Sequence, residues 1–238
     1  MLLVEALQME VRSGIAESEF DRPAVGVSKV WLVPGKERLY RRAAKRWLDV
    51  AFVVLALPIV LPVVFALVCI LKLSGQSPFF TQDRVGKGGR TFKLWKLRTM
   101  VPDAEARLRD YLSQDENARK EWDAYQKLSN DPRITAFGQF LRKSSLDELP
   151  QLWNVLIGDM SLVGPRPMLL DQRDLYPGSA YFALRPGLTG TWQISDRNQS
   201  TFAQRAEFDA DYDRNLSFAT DFRTLVATVG VVLRATGK

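Results

Sequence analysis

The sequence predicts a mainly α-helical fold with a small β-hairpin (α+β), set on a membrane in monotopic fashion. A proline-broken re-entrant helix enters the bilayer and amphipathic helices lie at its interface. Three observations predict this. Val50–Leu71 carries no charge, is interrupted by Pro58 and Pro62, and has basic residues on both sides. Ser77–Met100 alternates short β-like runs with Gly86, Gly88 and Gly89. Beyond it, charge and apolar residues recur at helical spacing to the end of the chain.

The 238 residues, 46% of them hydrophobic, suffice for a buried core. A formal charge of +6 favours an anionic partner: nucleic acid, anionic lipid or a phosphorylated substrate. The chain has no histidine, so carboxylates must carry any proton or nucleophile work. One cysteine, Cys69, excludes an internal disulfide and a cysteine-based zinc site.

In chain order, residues 1–37 read as a poorly ordered leader; Met1–Val11 lacks the basic region of a signal peptide. Residues 38–73 form the membrane element. It opens on Arg38, Arg41, Arg42, Lys45 and Arg46, and Lys72 follows its far end. About 22 residues at ~1.5 Å each make a helix long enough to cross a bilayer. A crossing would export one basic cluster, against the positive-inside tendency, whereas a helix broken at Pro58 returns both ends to one side. A straight crossing and a buried soluble helix are the competing readings. Asp49 caps this helix or pairs with a nearby arginine.

Residues 74–238 form the remaining domain. In its hairpin Lys93, Lys96 and Arg98 alternate with apolar residues, facing phosphates or forming an exposed basic edge. The glycines make neither a dinucleotide fingerprint nor a P-loop. Asp103–Leu128 reads as one solvated helix closed by Asn130-Asp131-Pro132. Phe202–Asn215 reads as a charged helix. Phe218–Leu233 reads as a helix with Leu225, Val226, Val229 and Val232 on a face toward core or lipid.

Leu141–Pro167 concentrates the chemistry. Ser145-Leu146-Asp147-Glu148 fits a capping box, which explains Glu148 better than Asp147. Alternatively the two carboxylates act as nucleophile toward phosphorus or as Mg²⁺ ligands. Arg142 and Arg166 are suited to phosphate oxygens, and Pro165 and Pro167 restrict where Arg166 points.

Four segments resemble the bacterial sugar transferases, the monotopic polyprenyl-phosphate phosphoglycosyl transferases. They are Gln82–Met100, Asp131–Pro167, Arg185–Asn198 and the basic-plus-apolar segment before them. The resemblance covers about Arg41 to the C-terminus. It implies a ping-pong transfer of a sugar-1-phosphate from a UDP-sugar to undecaprenyl phosphate, with release of UMP, at the start of exopolysaccharide or O-antigen synthesis. Asp147 matches the family nucleophile, Glu148 its dyad partner, and Arg142 and Arg166 the phosphate-binding arginines. Lys96 and Arg98 are assigned with them to substrate phosphate. Mg²⁺, bound at Asp147, is the implied cofactor. The resemblance also implies a helix broken at proline, here Pro58, on the cytoplasmic face of the bacterial inner membrane with both helix ends cytoplasmic. Leu57 stands where the family commonly has serine, and Asp196 where it often has glycine. The Trp192-Gln193 context resembles members that transfer hexose-1-phosphate. The expected partners are the UDP-sugar, undecaprenyl phosphate and membrane lipid. A homodimer is left open, and nucleic acid is disfavoured. The alternative function is a non-catalytic membrane scaffold or regulator of polysaccharide assembly.

Overall fold

The first element sets the frame for the rest. In a computed structural model describing residues 39–75, 77–125, 128–195 and 202–233, helix α1 spans Lys45–Leu73 after a π-helical turn at Tyr40–Ala44. The described residues belong to one unit, Gly35–Lys238. The leader expected over 1–37 lies outside them up to Glu37, as does Asp196. α1 contains Pro58 and Pro62 without losing its helical path, so the expected bend does not interrupt the helix. Asp49, Val53, Leu57, Val60, Leu67 and Leu71 recur at helical spacing, each buried or partly buried against the domain. Most of the rest is apolar and exposed, with Leu55 at 79% and Phe65 at 70%. This much uncovered apolar surface suits a lipid surround rather than water.

Strands β1 (Phe79–Val85) and β2 (Thr91–Leu97) form the expected antiparallel hairpin, with Phe79 opposite Leu97 and Val85 opposite Thr91. The turn uses Gly88 and Gly89 at positive φ. The single helix expected over Asp103–Leu128 is two: α2 (Ala104–Gln114) and α3 (Glu116–Tyr125). Asp115 separates them. Its backbone is extended and its side chain accepts from the backbone N–H of Asn117 and Ala118 at 2.9 and 3.0 Å. An aspartate that caps the following turn ends one helix and starts the next.

α4 (Ala136–Lys143) begins at Thr135, whose hydroxyl accepts from Gly138 N–H. A 3₁₀ turn (Leu146–Glu148) and α5 (Gln151–Ile157) follow. β3 (Ser161–Val163) pairs in parallel with β4 (Gly187–Thr189), a connection that sequence patterning does not reveal. Between them lies α6 (Ala180–Ala183), and after them come α7 (Thr191–Ile194), α8 (Phe202–Arg214) and α9 (Phe218–Leu233).

The main core joins Val53 of α1 to Phe92, Leu94, Val155, Leu162, Tyr212 and Leu216. A second cluster joins Leu67 and Leu71 to Leu97 and Leu141. α1 therefore rests on the domain near both of its ends. Polar contacts fix the first half. Asp49 accepts from Ser161 Oγ at 2.7 Å and Leu162 N–H at 3.2 Å. It therefore neither caps its helix nor pairs with arginine, because strand β3 supplies the donors. Arg46 donates to the carbonyls of Val155 and Leu156 at the end of α5. Asp221 of α9 collects Tyr40 Oη at 2.7 Å, Lys45 Nζ at 2.6 Å and Tyr212 Oη at 2.6 Å.

Candidate active site

The dyad stands at a forced reversal of the chain. α4 closes where Ser144 Oγ donates to the Phe140 carbonyl at 2.8 Å. Ser145 then takes φ 57°, a left-handed conformation that costs a non-glycine residue about 1 kcal/mol or more. Its side chain makes no cap bond, so the expected capping box is not formed: the left-handed backbone precludes it. Leu146 packs with Leu67, Leu71, Leu97 and Leu141, and this anchors the 3₁₀ turn. The turn leaves Asp147 only 7% exposed.

Lys96 reaches the dyad from β2. It shares the strand face of the buried Phe92 and Leu94, so its amine points inward. Lys96 Nζ lies 2.7 Å from Glu148 Oε1 and 3.7 Å from Asp147 Oδ2. Asn154, fully buried on α5, sets this register. Its Nδ2 donates to Lys93 O at 2.8 Å and its Oδ1 accepts from Trp95 N–H at 3.1 Å. Burial pushes the Asp147 carboxyl above its ordinary 3.8, and Glu148 pushes the same way, while Lys96 and Arg142 pull it down.

Arg142 ends α4 and donates from Nε to Thr99 Oγ1 at 2.9 Å. Burial lowers its pKa, and the charges of Asp147 and Asp131 oppose that shift. Thr99 also receives Thr135 N–H on its carbonyl, 3.1 Å away. Gly138 is required here, because a Cβ would sit 2.0 Å from Thr99 O.

Arg166 follows a backbone crossing. A Cβ on Gly164 would meet Arg185 O at 2.3 Å, and one on Gly190 would meet Gly164 O at 2.1 Å. This contact brings the Gly164–Pro167 loop beside α7, where the Arg166 guanidinium lies 6.0 Å from the centre of the Trp192 ring. Arg98 points elsewhere. It donates to the carbonyls of Ser77 and Phe79, closing the open end of the hairpin.

Two arginines that the sequence patterns do not single out join this region. Arg84 donates to Pro167 O at 3.1 Å and Gln82 Oε1 at 2.6 Å. Burial, then Arg166, lowers its pKa to about 10, and Glu148 acts in the opposite sense. Arg205 of α8 lies 5.5 Å from the Trp192 ring centre. The only signal for Arg205 in the sequence is one more charge in a charged helix.

Asp147 and Glu148 could hold Mg²⁺. Among the described residues no group of three or more acidic, cysteine or histidine ligands is present. A pair of adjacent carboxylates fits an ion that takes one or two carboxylates and completes its shell with substrate phosphate and water. Together these groups can present a carboxylate oxygen to phosphorus and neutralise phosphate charge around it.

Known proteins resemble this chain over most of its length. Residues 40–235 match the family described as bacterial sugar transferase. The chain is 44% identical over 198 residues to the UDP-galactose-lipid carrier transferase of Erwinia amylovora, covering 82% of this chain and 42% of that protein. It is 43% identical over 197 residues to the exopolysaccharide production protein ExoY of Rhizobium meliloti, covering 82% and 87%. It is 38% identical over 206 residues to the UDP-glucose:undecaprenyl-phosphate glucose-1-phosphate transferase of Xanthomonas campestris, covering 82% and 40%. The chain thus spans less than half the length of the first and third of these. With the match running from the π-helical turn before α1 to beyond the end of α9, the chain belongs to the bacterial sugar transferase family.

Proposed function

We propose that this chain is a phosphoglycosyl transferase that moves a hexose-1-phosphate from a UDP-hexose to undecaprenyl phosphate. The observation that carries the reading is Asp147. It is a buried carboxylate beside a lysine and an arginine, in a domain that holds an exposed apolar helix along one face. Relatives whose names specify undecaprenyl phosphate with galactose or glucose support the substrate classes.

In the first half-reaction an Asp147 carboxylate oxygen attacks the sugar-bearing phosphorus. The bond from that phosphorus to the bridging oxygen breaks, and UMP leaves with the electron pair. In the second, an oxygen of undecaprenyl phosphate attacks the same phosphorus and the Asp147 carboxylate leaves. Lys96 holds Glu148 and helps keep Asp147 ionised. Arg142 and Arg166 neutralise and orient phosphate oxygens. Mg²⁺, held by Asp147 and Glu148, would supply further charge neutralisation when bound. Arg98 stabilises the hairpin in this reading.

The re-entrant topology belongs to the same proposal. A straight α1 of 29 residues would be roughly 44 Å long, more than the ~30 Å hydrocarbon core. A helix that crossed would carry one end away from the domain, yet Asp49 and Val53 near one end and Leu67 and Leu71 near the other rest on it. This supports both ends lying on the cytoplasmic face of the inner membrane, with Pro58 as the site of bending.

The experiment is a donor panel. Purified protein with Mg²⁺ should release UMP from one UDP-hexose, and faster when undecaprenyl phosphate is added. No UMP from any donor, with or without acceptor, would favour the scaffold reading.

A further inference from the structure

In the proposed reaction Asp147, Lys96 and Arg142 serve one phosphorus, but a UDP-sugar carries two phosphates. A second cationic cluster lies within electrostatic reach of Glu148. It contains Arg84, Arg166 and Arg205, and each of the last two lowers the pKa of Arg84. Arg205 is 5% exposed, and its Nε and one terminal nitrogen are buried without a hydrogen-bond partner among the described residues. Arg84 Nε is also buried and unpartnered among them.

Burying guanidinium groups side by side with unsatisfied N–H is unfavourable unless an anion completes them. The neighbouring carboxylate, Asp209, is the strongest opposite charge on Arg205, yet it leaves two buried Arg205 nitrogens without a hydrogen bond. Asp209 accepts from Tyr176 Oη at 2.9 Å, and burial pushes its carboxyl up to about 6. Trp192 holds two of the cations in place, its ring lying 5.5 Å from the Arg205 guanidinium and 6.0 Å from that of Arg166. Tyr181 fixes the third side. It donates to Val85 O and accepts from Met168 N–H at 3.2 Å, tying the strand that bears Arg84 to the loop that bears Arg166.

We infer that Arg84 and Arg205, with Arg166, form a second phosphate subsite that takes the nucleotide phosphate of the donor and of the departing UMP. This rests on the transfer reaction proposed above. Undecaprenyl phosphate offers the same chemistry, but the location favours the water-soluble ligand. The core cluster beneath Arg205 consists of Val85, Met168, Tyr176, Tyr181 and Ala206, with Phe182 and Phe202, and contains no residue of α1. Arg205 and Arg84 are therefore binding residues for the leaving nucleotide, while Trp192 and Tyr181 position them.

The test is UMP titrated by calorimetry into nanodisc-held wild type, Arg205→Met and Arg205→Lys, with the KM for undecaprenyl phosphate measured alongside. Arg205→Met should raise the UMP Kd about tenfold or more, because a charge-assisted fork to phosphate is lost. Arg205→Lys should give a smaller rise. UMP should raise the melting temperature of the wild type and leave that of Arg205→Met nearly unchanged. If wild type takes up no UMP, the donor reading falls and the subsite with it. If wild type and Arg205→Met bind UMP equally, the donor reading stands and the subsite is overturned. A rise confined to the KM for undecaprenyl phosphate would reassign these arginines to the lipid.

Discussion

Asp147 must be ionised to attack phosphorus, yet burial favours its protonated form. UMP release should therefore rise with pH through a limb above 3.8, the ordinary carboxyl value. Lys96 opposes the shift, so Lys96→Met should move that limb to still higher pH. A pH–rate profile of UMP release checks this; a limb unmoved or moved downward would show that Lys96 does not help ionise Asp147. The dyad is legible as two adjacent carboxylates in a chain without histidine. Its partner is ambiguous in the sequence, because Lys96 lies 52 positions away and only strand pairing turns it inward. The capping-box reading fails for a local reason, the positive φ of Ser145, which the side-chain pattern does not encode. Gly138→Ala should cost about 1–3 kcal/mol in chemical denaturation, since its methyl would collide with the Thr99 carbonyl.

The elements legible in the sequence are the hairpin, from its glycines, the apolar α1, from its uncharged run, and α8 and α9, from helical spacing. What joins them is not. The β3–β4 pair is three residues long on each side, too short for a period-two signal, and its parallel pairing depends on glycines 164, 187 and 190 letting backbones touch. The Asp115 break is readable as an N-cap but is outweighed by the continuous run of helix formers around it. Asp49 is the polar anchor between α1 and β3. Asp49→Ala leaves Ser161 Oγ and Leu162 N–H buried without their acceptor, and should lower the stability of the detergent-held protein by about 1–3 kcal/mol. Thermal unfolding that matched wild type would show that apolar packing alone seats α1.

At the scale of the whole molecule, a helix with an exposed apolar face lies against a domain whose dyad is set between hairpin, α4 and α5. Composition foretells an anionic partner and a membrane element. It cannot foretell that α1 rests on the domain near both ends, because those contacts join residues far apart in the chain. Single cysteines at positions 42 and 73, in a Cys69→Ser background, should both react with a membrane-impermeant reagent from the cytoplasmic side of inverted vesicles. Reaction from opposite sides would refute the re-entrant topology. The central claim concerns one oxygen atom on Asp147, and a single-turnover measurement addresses it. Protein mixed with the accepted UDP-hexose and Mg²⁺, without undecaprenyl phosphate, should release UMP in a burst matching the enzyme concentration. Intact-mass analysis should then show the chain heavier by one hexose phosphate, located on Asp147. Asp147→Asn should give neither the burst nor the added mass, and an Asp147→Asn protein that releases UMP like wild type would contradict the assignment.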